Sequence, residues 1–462
     1  MTESYDLVVV GSGPAGEKGA ARAAYFGARV AVVERAERPG GAAVRNAGIP
    51  TKTLRETALY VTGGRKRDVY GVSVGLDRDA AFAKLRERTA AVVDTMGDLV
   101  TANLARHGIT LVRGDARLAP GRVVVVATPD GDVRELAARA VLLAPGSRPA
   151  RPRGFPFDDP CVHDSETLLE LERPPERLVV VGAGAIACEY ASIFGALGVR
   201  TSLVARHSPL VPFLDREISE LLAHALVAAG VDVVLDAGDV AVERRAGELV
   251  VGLEHADARA CDAVLVAVGR AGNVEGLGLA DAGVDVDARG RIVVDGDFRT
   301  TAEGVYAAGD VVGAPQLASV SMEQGRTAVA HALSLPAIVG AGAIAPYGVY
   351  SIPEAAMAGA TEQQARADGI DYEVGRAPFA RNARANIAGL TDGIVKLVFR
   401  RDDLRLLGVH ALGDDASELV HVGQTVMQHG GTVEHFVHAT YNVPTRTEAY
   451  KYAAYDGLAR VE

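Results

Sequence analysis

The sequence predicts an α/β chain with two Rossmann-like dinucleotide-binding units and a C-terminal α+β part. Three observations carry that expectation. A glycine fingerprint stands near the N-terminus between two apolar strands. The same fingerprint recurs in the middle of the chain. Beyond residue 346, alternating strand patterns such as "GIVKLVFR" and "LRLLGVHALG" give way to helical ones such as "ASELVHVGQTVMQHGG" and "RTEAYKYAAYDGLA".

The first unit is "YDLVVVGSGPAG", an apolar strand running into Gly11, Gly13 and Gly16. A helical segment "EKGAARAAYFGA" and a second strand "RVAVVE", ending at Glu34, follow. Each glycine has a separate reason in this context. Gly11 permits the tight turn, Gly13 lets a pyrophosphate approach the backbone, and Gly16 lets helix and strand touch. The helix N-terminus favours phosphate charge, and Glu34 is placed to accept hydrogen bonds from a ribose. A glycine-rich turn in an unrelated α/β fold is the alternative.

The second unit, "RLVVVGAGAIACEYASIFGALGVRTSLVARH", has Gly182, Gly184 and then Ala187 in the third place. The position equivalent to Glu34 is Ala205, followed by Arg206 and His207. An acid there repels a 2′-phosphate, whereas Arg pairs with it through a planar fork. The site therefore reads as NADP(H)-preferring, with NAD(H) still admitted. A solvated loop at Arg206 and His207, with no preference, is the bland alternative. Two such units suggest FAD in one and a nicotinamide nucleotide in the other.

The bulk numbers set limits. A length of 462 residues fits two to four domains. A net charge of −11 with no basic cluster argues against a nucleic-acid partner. No apolar run reaches the length of a membrane span, and a strand begins almost at once, so no leader is expected. Cys161, Cys188 and Cys261 form no CxxC pair and no metal spacing, which fits a reducing cytoplasm. His421, His429, His435 and His438 fall near the last helices and read as surface or core residues, with no metal expected.

With these motifs the chain resembles the class I pyridine nucleotide–disulfide oxidoreductases, which include lipoamide dehydrogenase, glutathione reductase and mercuric reductase. "LLAPGSRPARP" resembles the family's crossing strand, "AVGRAGN" the close of its nucleotide domain, and "TTAEGVYAAGDVVG" its second FAD motif. The resemblance implies that Asp310 faces the ribityl and phosphate groups. It also places Gly41, Ala116 and Gly146 around the flavin nucleotide and Gly269 at the nicotinamide nucleotide. Within the family, "IPTKTLRE", "CEYASIF", "SMEQGR", "YSIPE" and "NVPTRTEAYKYAA" are similar to the soluble pyridine nucleotide transhydrogenase branch. The implied division is an FAD-binding domain at 1–150 and 275–345, an NAD(P)H-binding domain at 151–274, and a dimerisation domain at 346–462. A homodimer follows from that resemblance.

The likeness breaks at one function. In "GGAAVRNAGIPTK", Ala43 and Gly48 stand where the family carries its cysteine pair. In "NVPTRTE", Val443 takes the place of the catalytic His, while Glu448 remains. Both nucleophiles and the acid that protonates a leaving thiolate are absent together. The frame persists, because Lys52 and Glu189 occupy the places of the family's ion pair beside the flavin. There Lys52 is expected to stabilise the reduced flavin and Glu189 to hold Lys52; helix capping by Lys52 is the structural alternative. The expected activity is hydride transfer from NADPH to a non-disulfide acceptor. That acceptor is NAD⁺, or else a quinone or other small organic molecule in a pocket lined by Ala43, Arg45, Gly48 and the partner subunit's Val443 and Glu448. A non-catalytic flavoprotein is the third reading.

Overall fold

A computed structural model describes residues 3–61, 71, 77–337 and 344–461. The chain divides into two compact units. The first comprises Met1–Pro50, Thr89–Ala150 and Arg270–Ala343; the second comprises Thr51–Arg88, Arg151–Gly269 and Ile344–Glu462.

In the first unit the described residues form a seven-stranded sheet. Its order is Thr110–Arg113, Val30–Glu34, Glu3–Val10, Val133–Leu143, Val123–Ala127 and Asp115–Ala119, with Val305–Ala307 also paired to Val133–Leu143. The central pairings are parallel, with Leu7 opposite Val30 and Ala140. Both faces of the central strand are covered. Leu7 and Val9 enter one apolar cluster, and Tyr5, Val8 and Val10 enter another. That explains why the strand reads as an unbroken apolar run.

The helix after the first glycine loop is Pro14–Tyr25, not the "EKGAARAAYFGA" segment expected. It starts three residues earlier because proline in the first turn gives up an N–H that has no helical partner anyway. It then packs backbone to backbone on the helix Ala318–Ala332. A Cβ added to Gly325 would stand 2.1 Å from the Ala15 carbonyl oxygen, so only glycine allows this approach.

In the second unit a five-stranded parallel sheet has the order Asp232–Val234, Arg200–Val204, Arg177–Val181, Ala263–Val266 and Val162–His163. A three-stranded antiparallel sheet, Val240–Arg245, Glu248–Leu253 and Arg259–Cys261, stands beside it. The C-terminal part is a five-stranded antiparallel sheet ordered Pro346–Val349, Ala355–Gly359, Leu406–Leu412, Ile394–Arg400 and Tyr372–Pro378. The helices Ala416–Gln428, Glu434–His438 and Ala449–Leu458 cover it through Val420, Phe436, Tyr450 and Ala453. The α+β character expected beyond residue 346 is therefore observed.

One buried charge cluster ties this unit together. Lys396 is fully buried, and its Nζ lies 2.7 Å from Asp215, 2.9 Å from Glu217 and 2.8 Å from Glu362. Burial opposes its charge, and the three carboxylates outweigh that, so its pKa is raised. His410, directly across the ladder, donates from Nε2 to the Ala360 carbonyl at 3.0 Å. Burial pushes its pKa down to about 4, so it is neutral at pH 7. Among the described residues no helix is long and apolar enough to cross a membrane.

Candidate active site

The first glycine loop has the geometry of a phosphate cradle. Gly11 sits at φ +99°, and a Cβ there would lie 2.3 Å from the Ala144 carbonyl oxygen. A Cβ on Gly16 would lie 1.9 Å from the Gly11 oxygen. Gly13 differs: its nearest neighbour would be the Gly41 Cα at 3.8 Å, so its face is open to a ligand. Gly41, at φ +61°, is itself glycine because a Cβ would meet the Gly13 Cα at 2.7 Å. Gly13 caps the helix without a side-chain acceptor, so the first N–H groups are left for an anion.

Glu34 ends its strand buried. One carboxylate oxygen accepts from the Ser12 N–H at 3.0 Å and the Ser12 hydroxyl at 2.5 Å; the other accepts from the Ala36 N–H at 2.8 Å. The carboxylate is thereby fixed, with one acceptor site remaining on Oε1 for a ribose hydroxyl. The Gly114 N–H donates to the Glu34 carbonyl at 3.0 Å, which sets the strand bearing half-buried Ala116 beside this end.

The second flavin motif converges on the same unit. Ser147 donates to Asp310 at 2.5 Å, and Arg270 donates to the Ser147 hydroxyl at 2.7 Å and carbonyl at 2.8 Å. The buried Nη1 of Arg270 has no protein partner. An orphaned guanidinium donor near the Asp310 carboxylate suits a phosphate-bearing ligand such as FAD. Gly146, at φ +72° with open space where a Cβ would be, adds room. Ser147 and Arg270 were not singled out from the sequence; the Gly-Arg of "AVGRAGN" was the available signal.

In the second unit the other fingerprint repeats the logic. Gly182, at φ +145°, would place a Cβ 2.3 Å from the Ala267 oxygen, whereas Gly184 faces open space. Ala187 is fully buried and serves the packing role of the third glycine. Gly269 has φ +144° and open space. Ala205 is buried, Arg206 and His207 are exposed, and Arg206 forms an ion pair with Asp239.

Lys52 and Glu189 are brought together. Lys52 lies on the helix Ile49–Val61 and Glu189 on the helix Ala185–Ala196. The ammonium is 2.9 Å from both carboxylate oxygens. Glu189 also accepts from the Tyr350 N–H at 3.0 Å, and the Tyr350 ring centroid lies 4.7 Å from the ammonium. Tyr350 was missed in the sequence, although it begins the quoted "YSIPE". Neighbouring Cys188 is fully buried, and burial raises its thiol to about 12, so it is packing and not a nucleophile.

The remaining residues behave differently. Ala43 and Arg45 lie on the short helix Gly41–Arg45, with Gly48 just beyond. A Cβ on Gly48 would stand 2.9 Å from the Ala43 carbonyl oxygen. The Arg45 Nε and Asn46 Oδ1 are buried without partners. Val443 is 66% exposed. Glu448 accepts from the Thr445 N–H at 3.3 Å in a capping box at the start of Arg446–Glu448. Among the described residues no cluster of His, Cys, Asp and Glu is arranged to hold a metal ion.

Two dinucleotide-type glycine loops and a half-buried Lys–Glu pair define a class, and sequence comparison agrees with it. The pyridine nucleotide-disulphide oxidoreductase profile matches residues 5–325, and that family's dimerisation domain matches residues 345–454. The chain belongs to the pyridine nucleotide–disulphide oxidoreductase family. It is 41% identical over 458 residues to a soluble pyridine nucleotide transhydrogenase of Mycobacterium bovis, covering 99% of this chain and 98% of that protein. It is 38% identical to one from Marinomonas sp., covering 100% and 99%. Among solved structures it is similar to the Escherichia coli flavoprotein disulfide reductase RclA in its Cu(II) complex, with a TM-score of 0.88, 28% identity, and 98% and 99% coverage. LpdA from Mycobacterium tuberculosis gives a TM-score of 0.89 at 26% identity, again covering 98% and 99%. The protein is an FAD-dependent pyridine nucleotide oxidoreductase.

Proposed function

We propose that this oxidoreductase accepts hydride from NADPH and delivers it to NAD⁺ at the same nucleotide site, without a thiol–disulfide step. The observation that carries this is the full-length similarity to soluble pyridine nucleotide transhydrogenases. Ala43, Gly48 and Val443 in place of the disulfide machinery support it. The flavin supplies reversible two-electron storage when bound.

The chain's own residues do the rest. The helix following Gly184 receives the nucleotide pyrophosphate, and Arg206 pairs with the 2′-phosphate, giving NADPH the advantage as donor. The Gly11–Gly16 loop, Glu34 and Asp310 hold FAD. Lys52, fixed by Glu189 and Tyr350, provides positive charge for the reduced cofactor. The three-domain division, a homodimer and a cytoplasmic location belong to the same proposal. The test is to mix the purified holoenzyme with NADPH and the thio analogue of NAD⁺. Reduction of the analogue with ping-pong kinetics is expected; no transfer refutes the reading.

A second reading rests on the unpartnered Arg45 Nε and Asn46 Oδ1 beside Ala43. Here a small polar acceptor binds on that side of the motif, along with the partner subunit's Val443 and Glu448. Ala43→Phe separates the two. It spares transfer to NAD⁺ and blocks a quinone or other acceptor bound there.

A further inference from the structure

We propose that Arg206 and Asp239 form an exchangeable ion pair that lets one nucleotide site serve both NADP(H) and NAD(H). This rests on the transhydrogenase reading, which requires both nucleotides to visit the site in turn.

The backbone beneath the pair is pinned on both sides. Asp239 sits on a pinned loop. Its N–H donates to Glu254 at 2.9 Å, and the Glu254 N–H returns a bond to the Asp239 carbonyl at 3.1 Å. Two residues earlier, the Ala237 N–H donates to the Ala205 carbonyl at 3.0 Å, and the Ala205 N–H donates to Val234 at 2.8 Å. The loop is therefore stitched to the strand end that presents Arg206. Arg206 itself is a long side chain, 64% exposed at that end, and its ion pair is with Asp239. The Asp239 backbone is pinned, and both side chains of the pair are exposed, Arg206 at 64% and Asp239 at 74%, so the pair can open to solvent and to a phosphate.

The local charge balance gives this pair its function. Ala205 removes the acid that would read ribose hydroxyls, so nothing built into the strand end favours NAD(H). Arg206 offers a fork suited to a phosphate. Left unpaired, it would favour the phosphorylated nucleotide strongly. Asp239 competes for the same fork. When NADP(H) enters, Arg206 exchanges Asp239 for the 2′-phosphate. When NAD(H) enters, Arg206 stays on Asp239 and no charge is left unmatched. The pair narrows the affinity gap between the two nucleotides, so neither product blocks the site for the other substrate.

Equilibrium titration of the oxidised holoenzyme with NADP⁺ and with NAD⁺ tests this. Asp239→Asn should tighten NADP⁺ by about two- to fivefold, the range of an exposed ion pair, and leave NAD⁺ nearly unchanged. The gain should shrink at high ionic strength. In an Arg206→Ala background the same substitution should have no effect on NADP⁺. Unchanged NADP⁺ affinity, equal shifts for both nucleotides, or an effect that persists without Arg206 would each overturn the exchange. If Arg206→Ala weakens NADP⁺ but Asp239→Asn does nothing, the transhydrogenase reading stands and only the exchange falls. If the coupling is measured but no hydride reaches the thio analogue of NAD⁺, the function fails and the pair remains a determinant of nucleotide choice.

Discussion

Replacing Lys52 with methionine keeps the length of the side chain and removes its charge, and two separate consequences follow. The first is stability. Glu189 has a side chain only 4% exposed, and without Lys52 the partner left to its carboxylate is the Tyr350 N–H at 3.0 Å. Breaking a buried pair from one side costs about 3–5 kcal/mol. Lys52 is 34% exposed, which puts the loss at the low end, about 3 kcal/mol, or roughly 3 °C in thermal midpoint for a chain of 462 residues. The second consequence follows from the proposed role. Loss of a cation near the reduced flavin should lower the flavin potential. A net electrostatic effect on the order of 1–2 kcal/mol corresponds to about 20–40 mV for a two-electron couple. The double variant Lys52→Met/Glu189→Gln distinguishes the two. It removes the stranded carboxylate, so most of the stability returns, while its potential falls between those of the wild type and the single variant. Thermal unfolding and potentiometric titration of the holoenzymes give both quantities. A single variant with the wild-type potential would refute the electrostatic role and leave Lys52 a structural residue.

Arg206→Ala should reduce kcat/KM for NADPH by about 5- to 30-fold and leave NADH nearly unchanged, because a phosphate bond of about 1.5–3 kcal/mol is offset by the surface pair it replaces; equal losses in steady-state assays would exclude phosphate pairing. His410 is held at about 4 in the fold against an ordinary 6.5, so the unfolded chain binds a proton that the native state refuses between those values. Stability should therefore decline from about pH 6.5 down to about pH 4, by roughly 3 kcal/mol at most. The depressed carboxylate of Asp215 continues the loss at lower pH. Urea midpoints at pH 7 and pH 5 should differ less in His410→Gln than in the wild type; identical differences would remove His410 as the cause. Restoring both cysteines as Ala43→Cys/Gly48→Cys should yield no glutathione disulfide turnover, since Val443 supplies no acid. A thiol-sensitive steady rate would contradict this.

What the sequence disclosed is what backbone geometry imposes locally. Gly11, Gly13 and Gly16 have distinct duties that spacing alone announces, and the contacts a Cβ would make at each agree with those duties. The Lys52–Glu189 pair spans 137 positions and was legible only through resemblance. The Ser147–Arg270–Asp310 chain of hydrogen bonds was not legible, because no local pattern says that three such distant residues share a sheet end. The same holds for Lys396, whose carboxylate partners come from two helix starts distant in sequence, Asp215 and Glu217 at one and Glu362 at the other. A charged residue inside the apolar strand "GIVKLVFR" was the one visible hint. Glu448 illustrates a different gap. Thr445 and Glu448 have the spacing of a capping box, so a structural use was readable beside the catalytic one.

The segment from Gly40 to Lys52 shows why frame and function separate. Most of that frame serves the fold. Gly41 must be glycine to clear Gly13, and Val44 is buried in the apolar cluster beneath the first sheet. Both requirements, a missing Cβ at Gly41 and an apolar side chain at Val44, are independent of thiol chemistry. The cysteine positions are under a different constraint. A Cβ at position 48 would sit 2.9 Å from the Ala43 carbonyl oxygen, closer than side-chain carbons approach such atoms. Gly48 is thus more than a cysteine trimmed to nothing, because the local backbone now requires a small residue there. Reintroducing one cysteine at a time meets either no partner at 43 or no room at 48, so the disulfide is not one substitution away. Lys52 and Glu189 remain paired, and under the proposed function they serve the flavin whether or not a thiol receives the electrons.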